Sequence, residues 1–104
     1  MANYLLAYKG GGMPETDAER EAQIAAWTGW FESLGQAVVD SGNPFGPSKT
    51  VAADRTVSDG APSGLTGYSV VSANSLDAAT ELATGSPVVT NGGTVEVYET
   101  VRVM

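Results

Sequence analysis

The chain has 104 residues, 42% hydrophobic and 16% charged, the composition of one folded domain rather than a disordered segment. Its 12 acids against 5 bases give a formal charge of −7, so nucleic-acid backbones and anionic membranes are poor partners at long range. With no Cys and no His, disulfides, thiolate nucleophiles, zinc–thiolate sites, imidazole bases and the Ser-His-Asp triad are all excluded.

Any catalysis must therefore rest on carboxylates, Lys, Tyr, Ser/Thr or backbone dipoles. No spaced Asp/Asn/Glu loop suggests an oxygen-ligand metal site, and neither metal nor cofactor is expected. No apolar run approaches the roughly 20 residues that span a bilayer, and no basic segment precedes an apolar one. The expectation is a single domain over residues 1–104, in the cytoplasm.

The first predicted element is a strand over Asn3–Lys9, where Tyr4 to Tyr8 are apolar on both faces, as in a central strand. Gly10-Gly11-Gly12 ends it. That run lacks the Gly-Lys-Ser/Thr ending of a P-loop and reads as a flexible turn. Thr16-Asp17-Ala18-Glu19 is a capping box, with the Glu19 carboxylate expected to reach back to the Thr16 amide. The helix it opens should run over residues 17–34, with Ile24, Trp27, Phe31 and Leu34 as its apolar stripe and Trp30 at the stripe's margin. Gly35 stops it.

Gln36–Asp40 gives a second strand, followed by a loop dense in turn formers from Ser41 to Lys49. Thr50–Val57 has the β-branched content of a short edge strand, and Ser58–Gly64 is another loop. A strand is predicted over 66–72, a helix over 76–84 capped at Asn74-Ser75, a return loop from Ser86 to Gly93, and a closing strand over 94–103.

The order strand–helix–strand–strand–helix–strand predicts a ferredoxin-like α+β fold: βαββαβ, a four-stranded antiparallel sheet with two helices on one face. On the closing strand, Val95, Val97, Val101 and Val103 belong over the helices. Thr94, Glu96, Tyr98, Thr100, Arg102 and Met104 fall on the opposite face. Leaving large apolar side chains of that face in water costs roughly 1.5–3 kcal/mol each. The expectation is a homodimer, sheet to sheet, with a semi-polar chamber between the sheets.

Asp59-Gly60, Gly67-Tyr68, Ser75-Leu76-Asp77-Ala78-Ala79 and Val95-Glu96-Val97 resemble successive blocks of the YCII-related family, in its DGPF branch. Tyr4-Leu5-Leu6-Ala7-Tyr8 and Gly42-Asn43-Pro44-Phe45 resemble their counterparts too, so the likeness spans nearly the whole chain. The resemblance implies a dimeric α/β barrel of ferredoxin-like subunits. Better-known relatives carry a His–Asp pair in the cleft, which a chain without histidine does not share. Ala61-Pro62 also stands where the family's turn has Pro-Phe.

The candidate residues follow from chemistry. Asp59, Tyr68 and Glu96 are the candidate catalytic set, a carboxylate–tyrosine group for acid–base work on a small cyclic or carbonyl substrate. Asp59 also reads as a turn former, and Tyr68 as a packed tyrosine with a satisfied hydroxyl. Tyr98, Arg102 and Lys49 are the candidate ligand-binding residues, with charge pairing across a dimer seam as the other role for Glu96 and Arg102. Asp40, Asn43 and Ser48 could line an entrance. Two functions are thus open: binding, with or without turnover, of a small organic molecule in the inter-sheet chamber, or a non-enzymatic interaction module.

Overall fold

The computed structural model describes residues 1–103. Strand β1 (Ala2–Lys9) leads to helix α1 (Asp17–Leu34), a 3-10 turn over Gly35–Ala37, and the short strand β2 (Val38–Asp40). A hairpin of β3 (Lys49–Val51) and β4 (Val57–Asp59) follows. Then come β5 (Leu65–Ala73), α2 (Leu76–Ala83), the one-turn helix α3 (Pro87–Thr90) and β6 (Thr94–Glu99).

Four strands form one sheet in the order β2-β5-β1-β6, every neighbour antiparallel. Each helical crossover skips one strand, since β1 and β2 flank β5 while β5 and β6 flank β1. This is the ferredoxin-like α+β arrangement. The central place of β1 explains its sequence, because a strand paired on both edges and covered on one face needs apolar residues almost throughout.

Alternation along the strands sorts the side chains cleanly. Tyr4, Leu6, Tyr8, Ser69 and Val71 are all under 5% exposed and face the helices. Trp30 of α1, Ala79 and Ala83 of α2 and Val88 of α3 join the same apolar cluster, so the three helices cover one face. On the other face, Leu5 pairs with Val70 and Tyr98, and Ala7 with Tyr68 and Glu96.

Several sequence expectations are corrected. In α1 the Glu19 amide donates to Thr16 Oγ1 at 3.1 Å, but the Glu19 carboxylate accepts from the Glu15 amide at 2.8 Å, one residue earlier than the capping box predicts. Trp30 is buried and donates through Nε1 to the Leu82 carbonyl at 3.3 Å, whereas Ile24 is 60% exposed. The buried stripe is rotated toward Gln23, Trp27, Trp30 and Leu34 because α1 rests on the sheet only through its last turns. Gln36–Ala37 belong to the 3-10 turn, so β2 is three residues long.

The expected edge strand over Thr50–Val57 is instead a separate two-stranded hairpin. Its chain reverses where Arg55 adopts φ 74° and Asp54 Oδ1 accepts from both the amide and the hydroxyl of Thr56. The predicted return loop contains α3, since Ser86 caps a turn begun by Pro87, the position where proline favours a helix start. The closing strand ends at Glu99 rather than 103. Val101 and Val103 are 75% and 83% exposed and do not cover the helices. Met104 lies outside the described residues.

Candidate functional site

The helices do not seal the sheet evenly. Along α1, the side chains that meet the sheet are large aromatics. Trp27 packs edge-on against Tyr8 with ring centroids 5.2 Å apart, and also contacts Trp30 and Phe31, each at 5.7 Å. From Asp17 to Ala26, only Gln23 is not exposed. The amino-terminal half of α1 therefore overhangs the sheet, and beneath it lies a cleft of about 770 Å³. That volume falls in the usual range for small-molecule sites.

The walls follow from the local sequence. Trp27, Phe31, Ile24 and Met13 line the α1 side, Pro87 and Val88 the α3 side, and Phe45 and Tyr68 the rim at the β5 edge, with Tyr68 belonging by strand alternation to the helix-free face. Phe45 stacks on Tyr68 at 5.8 Å with 20° between the planes. Gly10, Gly11 and Gly12 also contribute to the lining, all with positive φ (76°, 93° and 73°), a conformation that requires glycine in practice. The segment from Ser41 to Phe45 closes the far edge. It holds its place because Gly42, at φ 75°, lies against the backbone of β5, where a methyl group would overlap the Tyr68 carbonyl. Phe45 N–H donates to the Thr66 carbonyl at 2.9 Å and Tyr68 N–H to the Asn43 carbonyl at 3.3 Å.

At the floor is a chain of polar groups that runs from buried Tyr8 and Ser69 out to Ser41 at the surface. The Tyr8 hydroxyl donates to Ser69 Oγ at 2.7 Å, and the Ser69 hydroxyl donates to the Ser41 carbonyl at 2.7 Å. Burial pushes the Tyr8 phenol up to about 12, against the hydrogen bond to Ser69, which acts to lower it. Tyr8 is therefore neutral across the physiological range. The cleft lining includes no Asp, Glu or Lys among the described residues; Arg20, at its mouth, pairs with Asp17 at 3.1 Å.

The sequence-predicted residues lie elsewhere, Tyr68 excepted. Asp59 is on β4, outside the main sheet, and accepts from Lys49 Nζ at 2.7 Å in an exposed pair. Lys49 is thus the partner of Asp59. Tyr68 donates to Asp40 Oδ2 at 3.3 Å. It shares one rung with Glu96, the two flanking Ala7. Glu96 accepts from the Tyr98 hydroxyl at 3.0 Å; that hydrogen bond, with the carboxylate's charge, raises the Tyr98 phenol. Arg102 lies beyond the end of β6 and is exposed. The structure brings together Tyr68 with Glu96 and Tyr98 on the helix-free face, and Asp59 with Lys49 on the hairpin, but does not unite the two groups. Asp40 accepts from the Gly42 amide at 2.8 Å, Asn43 lines the cleft, and Ser48 supplies its carbonyl to the Gly60 amide.

The chamber expected between paired sheets would sit on the helix-free face, whereas the cleft lies on the helix side. Tyr8, Ser69, Ser41 and Trp27 were not candidates from sequence. One signal was present: an aromatic, Tyr8, stands one residue before three glycines at the end of the central strand.

No protein-family model and no curated protein matches the chain. Among solved structures, it is similar to 5-chloro-2-hydroxyhydroquinone dehydrochlorinase (TftG) from Burkholderia phenoliruptrix AC1100, in complex with 2,5-dihydroxybenzoquinone. The TM-score is 0.59 at 19% identity, over 96% of this chain and 94% of that one. The two share an α+β fold built on a four-stranded antiparallel sheet.

Proposed function

We propose that the protein binds a small planar organic molecule in the cleft between α1 and the sheet. The cleft itself carries this reading: about 770 Å³ lined by Trp27, Phe31, Phe45 and Ile24, with one polar chain at its floor. Apolar walls with a few fixed polar groups are the usual build of a small-molecule site. The 2,5-dihydroxybenzoquinone in TftG is a ring of the size such walls would sandwich, which supports the reading. Binding rather than turnover is the function proposed. General acid–base work is most efficient with a group titrating near the working pH, and the cleft offers a tyrosine raised to about 12 without a lining carboxylate.

The test is a titration with p-cresol, followed through the indole N–H resonances of the two tryptophans. Saturable shifts of the Trp27 signal, abolished when Met13 and Ile24 at the mouth are both replaced by Asp, are the expected result. A flat titration to several millimolar ends the proposal.

The helix-free face supports a homodimer, as the resemblance to the YCII-related family implies. Val39 and Tyr98 are 51% and 52% exposed, and Leu5 and Val70 sit beside them half-buried. A second copy would cover this face and enclose Tyr68, Glu96 and Tyr98. Sedimentation at micromolar concentration should give a dimer, and a stable monomer would remove that part of the proposal.

A further inference from the structure

The direction of the hydrogen bonds at the floor of the cleft is fixed by the group at their end. The Ser41 carbonyl can only accept. Ser69 has one hydroxyl proton, and it is committed to that carbonyl at 2.7 Å. Toward Tyr8, then, Ser69 Oγ can only accept, and the Tyr8 hydroxyl, 2.7 Å away, must donate its single proton to it. Tyr8 and Ser69 are 4% and 0% exposed, so bulk water does not compete for these protons. The carbonyl is held in turn by the Ser41–Phe45 segment, which is bonded to β5 through the Asn43 carbonyl and the Phe45 amide. With its proton turned inward, Tyr8 is left with a lone pair for a ligand.

We propose that the cleft selects a ring carrying a hydrogen-bond donor at the position that meets Tyr8, a phenolic hydroxyl or an aryl N–H, and discriminates against a carbonyl, an ether or an anionic oxygen there. The inference rests on the binding function proposed above and deepens it. A donor completes the chain ligand–Tyr8–Ser69–Ser41. An acceptor in the same place sets two lone pairs against each other and displaces water from both, and a polar group that loses its water without gaining a partner is destabilising. Because Tyr8 stays protonated throughout the physiological range, its ionisation does not reverse the preference.

The experiment compares p-cresol, 4-fluorotoluene and 4-methylbenzaldehyde by the same indole titration, in the natural protein and in Tyr8→Phe and Ser69→Ala. Ratios between variants cancel the probes' different hydration. The preference for p-cresol over 4-fluorotoluene should fall about tenfold in Tyr8→Phe, the size of one hydrogen bond. Ser69→Ala frees the Tyr8 proton, and 4-methylbenzaldehyde should then bind several-fold more tightly than to the natural protein. If all three rings bind and neither ratio moves, the donor rule is overturned while ring binding stands. If no ring binds, the rule falls together with the function it rests on. Should Tyr8→Phe not fold, the Ser69→Ala arm decides alone: an unchanged aldehyde affinity overturns the rule.

Discussion

The two longer helices meet the same sheet in opposite ways. Helix α2 presents Ala79 and Ala83, 0% and 4% exposed, and so lies close against β5 and β6. Helix α1 presents Trp27, Trp30 and Phe31, whose rings pack on one another at 5.1–5.7 Å and hold the helix off. Small side chains let a helix backbone approach, and large ones act as spacers. The difference teaches that the cleft is a product of side-chain size. Where alanines face the sheet, the space is filled, and where aromatics cluster at one end of a long helix, the other end overhangs.

The sharpest way to break this contrast is Trp30→Ala, which removes the contact where α1 touches both the core and the Leu82 carbonyl. Loss of a buried tryptophan should destabilise the fold by about 3–5 kcal/mol in urea titration. An effect under about 1 kcal/mol would show that α1 is held by something else.

The next largest effect is alkaline. The Tyr8 phenol is raised in the folded state above its ordinary value of 10.0, to about 12. Its contribution is therefore fully present below pH 10 and is lost as pH rises from 10 to 12. Two units correspond to about 3 kcal/mol. Stability measured across that window should fall less steeply in Tyr8→Phe; parallel curves would contradict the burial of this hydroxyl.

Ala79→Leu tests the other side. A larger residue in the close α2 contact should destabilise by about 1–3 kcal/mol, whereas Ile24→Leu on the overhanging face should leave thermal unfolding unchanged. Equal effects at both positions would erase the distinction. The smallest shift is expected from Thr16→Ala, which removes the hydroxyl that caps α1. Caps contribute about 1 kcal/mol. Because the capped half of α1 overhangs the cleft, amide exchange should speed up there first while α2 is unaffected.

The fold was readable because its determinants are local. The alternation of Val95 and Val97, the Thr16 cap and the apolar run Tyr4–Tyr8 of β1 each follow from neighbours in sequence. The end of β6 was misread because Val101 and Val103 continue the alternation after the pairing with β1 has run out at Tyr4. The cleft was not readable for a different reason. The Tyr8–Ser69 bond spans 61 positions and the Ser69–Ser41 bond 28, and no spacing rule links them. Trp30 and Ile24 exchanged roles because the burial of a helix face depends on how the helix tilts, which the helix's own periodicity does not contain.

The place of β1 in the sheet also bears on how the chain acquires its shape. This strand is made first among the elements, yet both its partners, β5 and β6, come from the carboxyl-terminal half. During synthesis its apolar residues emerge long before anything can pair with them. Its first partner, β5, is made more than fifty residues later and the second, β6, later still, and pairings so distant in sequence make for slow closure. Until then the nascent chain carries an open, sticky segment of the kind that chaperones recognise.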